Sequence, residues 1–336
     1  MIRFIVRRLI QMVGVVLVLS LLIFAWLRSL PGGTVSAMLG ERATPETREA
    51  LTKALGLDQP IWVQYWTYLK RALTGNFGVS TGVLPGRDAF DIFLTRFPAT
   101  IELSFFALLL AITFGIPLGY LAARRRATLF DNASVIVSLI GVAVPVFFLA
   151  FLLKYVFAVK LGWLPVSGRQ TPSIDATRVT GFFVLDGLLT REWDAAWDAL
   201  KHLILPAVAL ATIPFAVIFR ITRASVLEVM DEDFVRTAES KGLTNRVIRG
   251  RHILRNALLP VTTTVGLQIG ALLAGAVLTE TVFSFGGIGE ALKVSFELRD
   301  YSVLQVLILA AAAVFVTVNL VVDVLYAVID PRVRTR

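Results

Sequence analysis

The stretch "FVRTAESKGLTNRVIRGRHILRNALLP" (Phe234–Pro260) carries Arg236, Lys241, Arg246, Arg249, Arg251 and Arg255, with Arg220 and Arg223 just upstream. The apolar runs on either side of it are long enough to cross a bilayer, so it reads as a basic loop held at one membrane face. Composition agrees, because 56% hydrophobic residues and a mean hydropathy of +0.75 exceed what a soluble core requires. A net charge of +9 could point to nucleic acid, but in such a chain basic residues mark cytoplasmic loops, and no nucleic-acid partner is expected. The absence of cysteine excludes a disulfide framework and a thiolate metal site.

Working outward, apolar windows predict spans at Leu9–Leu27, Ala99–Ala123, Ala133–Val159, Leu203–Phe219, Val261–Phe285 and Val303–Ile329. The fourth is the shortest and carries Pro206 and Pro214, which neighbouring helices can accommodate in a membrane. Arg3, Arg7 and Arg8 before the first run resemble a signal-peptide start, yet the run is longer than an h-region and no small-x-small site follows. An anchor is therefore expected. Those arginines, Arg124–Arg126, the central basic loop and Arg332, Arg334 and Arg336 all fall on one face, which the positive-inside rule makes cytoplasmic together with both termini. The expected organisation is 1–30 for the amino terminus and first span, 31–98 for an external helical segment, and 99–336 for a core containing the cytoplasmic loop 220–260.

Within the external segment, Thr44 before Pro45 predicts a helix start and Gly56 its stop. A second helix is predicted over Pro60–Leu73, with Ile61, Tyr65, Leu69 and Leu73 at helical spacing and Gly75 after it. Trp62, Tyr65, Trp66 and Tyr68 suit a headgroup layer. Two readings stand side by side: helices lying on the outer surface, or part of a docking platform.

Chemistry is sparse. The chain holds no HExxH, no GxxxxGK[ST] and no GxSxG motif, and its histidines, His202 and His252, fall on opposite sides of the expected topology. Acids at span edges are functional candidates by default. Glu102 reads first as a structural group satisfied at the interface, Glu280 is open between the two roles, and Asp323, with Asn319 one turn earlier, reads as a helix-holding group. A chain with no nucleotide site and no ion relay must borrow its driving force, so no catalytic residue, metal or bound cofactor is expected. In the basic loop, "EDFVRTAESKGL" predicts about two helical turns, with Phe234 and Ala238 on one face and Gly242 as the stop. Such a helix suits a groove on another protein, or else a lipid surface where arginines meet anionic headgroups.

The loop resembles the EAA loop of ABC importer permeases. Arg236, Thr237 and Ala238 stand at the E-A-A positions and Gly242 at the glycine, while His252, Leu254 and Arg255 replace the later I-x-L-P and a proline arrives only at Pro260. It is closely similar to the variant of the dipeptide, oligopeptide and nickel branch, R-T-A-x-x-K-G-L then H-x-L-R-N-A-x-x-P, here "RTAESKGL" and "HILRNALLP". "LGLDQP", "GNFGVS", "GIPLG", "LPVSGR", "GLQIGALLAGAVLTETVFSFGGIG" and "DVLYAVIDPRVR" extend the resemblance over nearly the whole chain, most closely to the first membrane subunit of dipeptide permeases.

The resemblance implies an all-α permease of six transmembrane helices in the bacterial inner membrane, of the type I importer fold. Its implied partners are a homologous second permease, one or two ATP-binding subunits that use ATP and Mg, and an extracytoplasmic peptide-binding protein. Phe234, Arg236, Thr237, Ala238, Lys241 and Gly242 would form the coupling helix, and Gln268, Thr279 and Glu280 would line the substrate path. The substrate would be a dipeptide or short oligopeptide, with nickel or glutathione as alternatives. A self-powered secondary transporter would need an inverted repeat and a midplane charge pair, neither of which is evident. The acids and histidines are too scattered for a membrane enzyme.

Overall fold

The computed structural model describes residues 2–29, 44–54 and 56–329, together with Val35 and Leu39. "PG" at 31–32 and Arg332, Arg334 and Arg336 lie outside the described residues, as do the side chains of Arg3 and Asp323. The described elements are helical, apart from one isolated antiparallel bridge between Val79 and Asp88. Among the described residues, five helices are long and apolar enough to cross a membrane, and a sharply bent pair makes a sixth candidate.

One compact unit comprises residues 1–98 and 286–336. In it α1 (Ile2–Ser29) is followed by α2 (Pro45–Ala54) and α3 (Ile61–Leu73), both close to the predicted bounds. The Thr44 hydroxyl accepts from the Thr47 amide at 3.3 Å, and Gly56 and Gly75 turn left-handed where the helices stop. Ile23 and Leu27 of α1 pack on Tyr301, Leu304 and Leu309 of α13 (Tyr301–Ile329). A second cluster joins Ala89, Ile92 and Phe93 to Val303, Val306 and Leu307 and to Ile288 and Ala291 of α12 (Ile288–Glu297). Asp300, fully buried before α13, accepts from the Ser80 hydroxyl at 2.5 Å and from the amides of Thr81, Gly82 and Val83 at 3.0–3.2 Å. A turn whose amides would otherwise be orphaned is thereby closed on a carboxylate.

The other unit is 99–285. It receives most of α4 (Ala89–Arg124) and then α5 (Leu129–Ala143), α6 (Val146–Leu153), α7 (Phe183–Leu189), α8 (Trp193–Met230), α9 (Asp233–Ser240) and α11 (Arg255–Phe283), with a short α10 (Asn245–Val247) before α11. The predicted fourth span is only the middle of α8, which continues past Pro206 and Pro214 for 38 residues in all. At 1.5 Å per residue it is about 57 Å long, well beyond a hydrocarbon core of about 30 Å. Leu203, Ala207, Leu210 and Ala211 of α8 meet Ala99, Leu103 and Ala107 of α4 and Leu272 and Ala276 of α11. Toward the other end of α4, "GIPLG" allows backbone contact: a methyl at Gly119 would sit 2.7 Å from the Phe219 carbonyl oxygen. This is the small-xxx-small packing that membrane helices use.

The third predicted span, Ala133–Val159, is broken in the middle. It is two helices, α5 and α6, meeting at 102°, with α6 widening into a π turn at Lys154–Lys160. Pro145 has no amide to continue α5, and it holds the preceding Val144 extended at φ −78° and ψ 124°. Apolar length alone does not reveal such a break.

Candidate functional site

α9 is the short helix of the basic loop. Val235 and Ala238, 3% and 4% exposed, pack against Ala123, Val226, Ile248, Ile253 and Ala257 of the same unit. This corrects the expected pairing of Phe234 and Ala238 in a partner's groove: Ala238 is buried in its own chain, and only Phe234, 41% exposed, faces outward. At about 100° per residue, Ala238 lies between Phe234 and Val235 around the helix. Once the branched Val235 is buried with Ala238, Phe234 is left on the flank. It shares the exposed surface with Arg236, Thr237 and Lys241. Arg236 has only an exposed neighbour, Asp233 at 3.6 Å, a pair worth little in water.

The end of α9 is a Schellman cap. The Gly242 amide donates to Glu239 at 2.9 Å, the Leu243 amide donates to Ala238 at 3.3 Å, and Gly242 is left-handed at φ +72°. The chain then returns through α10 and a π turn, Ile248–Leu254, into α11. Ile248 and Ile253 are five residues apart, and the wide turn brings both under α9. Nearby, Arg223 grips Asp131 with two bonds of 2.6 and 2.7 Å, tying α8 to the start of α5, and Asp131 is 1% exposed.

At the other ends of α4 and α11, Thr279 and Glu280 are fully buried. The Thr100 hydroxyl donates to Glu280 at 2.6 Å, and the Thr279 hydroxyl has no hydrogen-bond partner among the described residues. Gln268 is half-buried about three turns away on α11. The first two therefore stand within helix packing in this unit rather than on an open surface. Glu102 accepts from Arg169 at 2.6 Å and from the Val184 amide at 2.9 Å, fitting its structural reading. Burial pushes the Arg169 guanidinium down from its ordinary value and Glu102 counters this, while the Phe183 ring lies 3.7 Å below it. Burial works against Asp186 too, but the Thr180 hydroxyl and the amides of Thr180 and Gly181 outweigh it and hold the carboxyl below its usual range. His202 bonds to its own helix at Asp198, and no acidic or histidine group that could hold a metal occurs among the described residues.

Sequence reasoning found α9 and its cap but missed Asp131–Arg223, Asp186 and the partner of Glu102. The only signal available for the last was an acid inside an apolar run, because Arg169 lies 67 residues away.

Residues 115–335 match the family described as the binding-protein-dependent transport system inner membrane component, and residues 1–104 match its amino-terminal membrane component. The chain is 47% identical over 335 residues, 99% of each chain, to the di/tripeptide transport system permease protein DppB of Pseudomonas aeruginosa. It is 43% identical over 339 residues, again 99% of each, to the dipeptide transport system permease protein DppB of Escherichia coli K12. To the glutathione transport system permease protein GsiC of an Escherichia coli O1:K1 strain it is 36% identical over 334 residues and 99% of each chain. With its helices, its capped loop helix and both halves of its sequence in agreement, the chain belongs to the inner membrane components of binding-protein-dependent transport systems, the permeases of ABC importers.

Proposed function

We propose that the chain is the membrane-spanning subunit of an ATP-driven importer of dipeptides or short oligopeptides, with both termini and the loop 220–260 cytoplasmic and 31–98 external. It pairs with a homologous second permease and receives peptide from a binding protein. The ATP and Mg are used by separate ATP-binding subunits. The observation that carries this reading is α9, which is clamped on its own chain by Val235 and Ala238 while Phe234, Arg236, Thr237 and Lys241 remain free to enter a groove. A rigid helix with one bound and one free face can transmit the motion of a partner. Gln268, Thr279 and Glu280 remain the proposed polar path, reached when the packing around α11 opens during transport.

The names of the relatives favour a dipeptide over other substrates, and the glutathione relative at 36% identity makes that tripeptide the second reading. The complex purified with its partners and placed in vesicles should take up labelled dipeptide only with ATP, and glutathione more slowly. Preferred glutathione uptake would reverse the order of the two readings. Transport by this chain without ATP-binding subunits would overturn the proposal.

A further inference from the structure

At the end of α1 far from the amino terminus, α1, α3 and the first turn of α13 enclose a cavity of about 390 Å³ lined by Arg28, Gln64, Tyr68, Arg71, Asn76 and Gln305 among others. Its described lining includes no aspartate or glutamate. Asp300, next in sequence to the lining residue Tyr301, is taken up by the 80–83 turn and by the Val303 amide at 3.4 Å, which caps the start of α13. Arg28 donates to the Gln64 side-chain oxygen at 2.7 Å and lies 4.4 Å from the Phe24 ring, and neither contact neutralises it. Gln64 is held in that orientation because its amide nitrogen is spent on the carbonyls of Leu57 and Gln59. The Tyr68 hydroxyl is buried without a hydrogen-bond partner. Burial, and then neighbouring Tyr65, push its ionisation up, so it remains a donor. Two cations lining one cavity, half-buried Arg28 and exposed Arg71, with the buried Tyr68 hydroxyl beside them, suit a ligand that carries negative charge.

The position of the cavity narrows the class. α3 exposes Ile61, Trp62, Val63, Trp66 and Leu73, as an interfacial helix does, and the apolar run of α1 ends at the level of Arg28. Val63 and Val79, both exposed, border the cavity and give acyl chains an apolar place to lie.

We propose that this cavity holds the phosphodiester of a membrane phospholipid, with Arg28 and Arg71 as charge partners and the Tyr68 hydroxyl as a further donor. The site is independent of the transport reading, since it is read by lipid retention and not by uptake. The complex, purified with its partners in nanodiscs of phosphatidylglycerol, is transferred to detergent and its bound lipid is counted by native mass spectrometry. The wild type should retain phospholipid. Arg71→Gln, at an exposed position that folding tolerates, should reduce retention roughly tenfold, as expected for loss of a charge-assisted bond. Tyr68→Phe should reduce it less, and Lys70→Gln, whose side chain lies over Trp66, should leave it unchanged. Equal retention by Arg71→Gln and wild type would overturn the proposal. So would displacement of the lipid by inorganic phosphate at millimolar concentration, which would assign the cavity to a soluble anion.

Discussion

Gly242 shows how much one backbone conformation carries. A Cβ there would meet nothing within 4 Å, so any penalty for substitution is conformational and not steric crowding. Gly242→Val is expected to cost roughly 1–2 kcal/mol at φ +72° and to loosen the end of α9, whereas Gly242→Asn should cost less. ATP hydrolysis uncoupled from uptake in the valine variant is the readout. Phe234 and Ala238 are expected to separate in the same assay. Ala238→Glu forces a carboxylate among Ala123, Val226 and Ile253, costs several kcal/mol and frees the loop to protease. Phe234→Ala leaves the loop protected and weakens co-purification of the ATP-binding subunit. Protease sensitivity raised to the same degree in both variants would mean that both residues face inward. Asp186 gives a pH signature. Its folded pKa is depressed, so its stabilisation is complete at neutral pH and is lost only as pH falls below the ordinary carboxylate range. Asp186→Asn should lower the melting temperature at pH 7 and flatten that acid loss.

At the scale of elements, two ties decide how helices meet. The Glu102–Arg169 pair fastens the chain after α6 to α4, and with side chains 4% and 9% exposed neither charge can fall back on water. Glu102→Gln should destabilise by about 3 kcal/mol because it leaves the guanidinium buried without its counter-charge. The double variant Glu102→Gln with Arg169→Met should recover part of that loss, and thermal melting of the purified complex measures both. The break between α5 and α6 is the second feature. Pro145→Ala restores an amide that the Gly141 carbonyl can accept, so the 102° bend should open. Spin labels at Ala133 and Val159 would report a longer separation, and an unchanged distance would assign the bend to packing instead of proline.

For the whole molecule, the decisive question is which face of the membrane α9 meets. The chain has no cysteine, so single introduced cysteines report without background. Cysteines at Arg125 and Thr244 should resist an impermeant thiol reagent applied to intact cells, and one at Gln170 should react. Labelling of Thr244 from outside would invert the proposed topology and remove α9 from the reach of ATP-binding subunits. Deleting 42–74 should impair docking of the binding protein while leaving assembly with the ATP-binding subunits intact.

The sequence by itself determined the membrane class, the main apolar segments, α2 and α3, and the length and cap of α9. Each of these depends on neighbours within a few turns: apolar length, proline and glycine punctuation, or a basic run beside a span. Only the tertiary structure decided that Ala238 turns inward while Phe234 stays free, because three candidate residues lie within one arc of α9 and the pocket that selects among them is built from α4, α8 and the returning π turn. The same holds for Glu102 with Arg169, Asp131 with Arg223 and Asp300 with the 80–83 turn, whose members are 67, 92 and about 220 residues apart. A buried charge announces that it needs a partner, but the partner is chosen by which helices pack together, and that choice is made by the apolar surfaces around it.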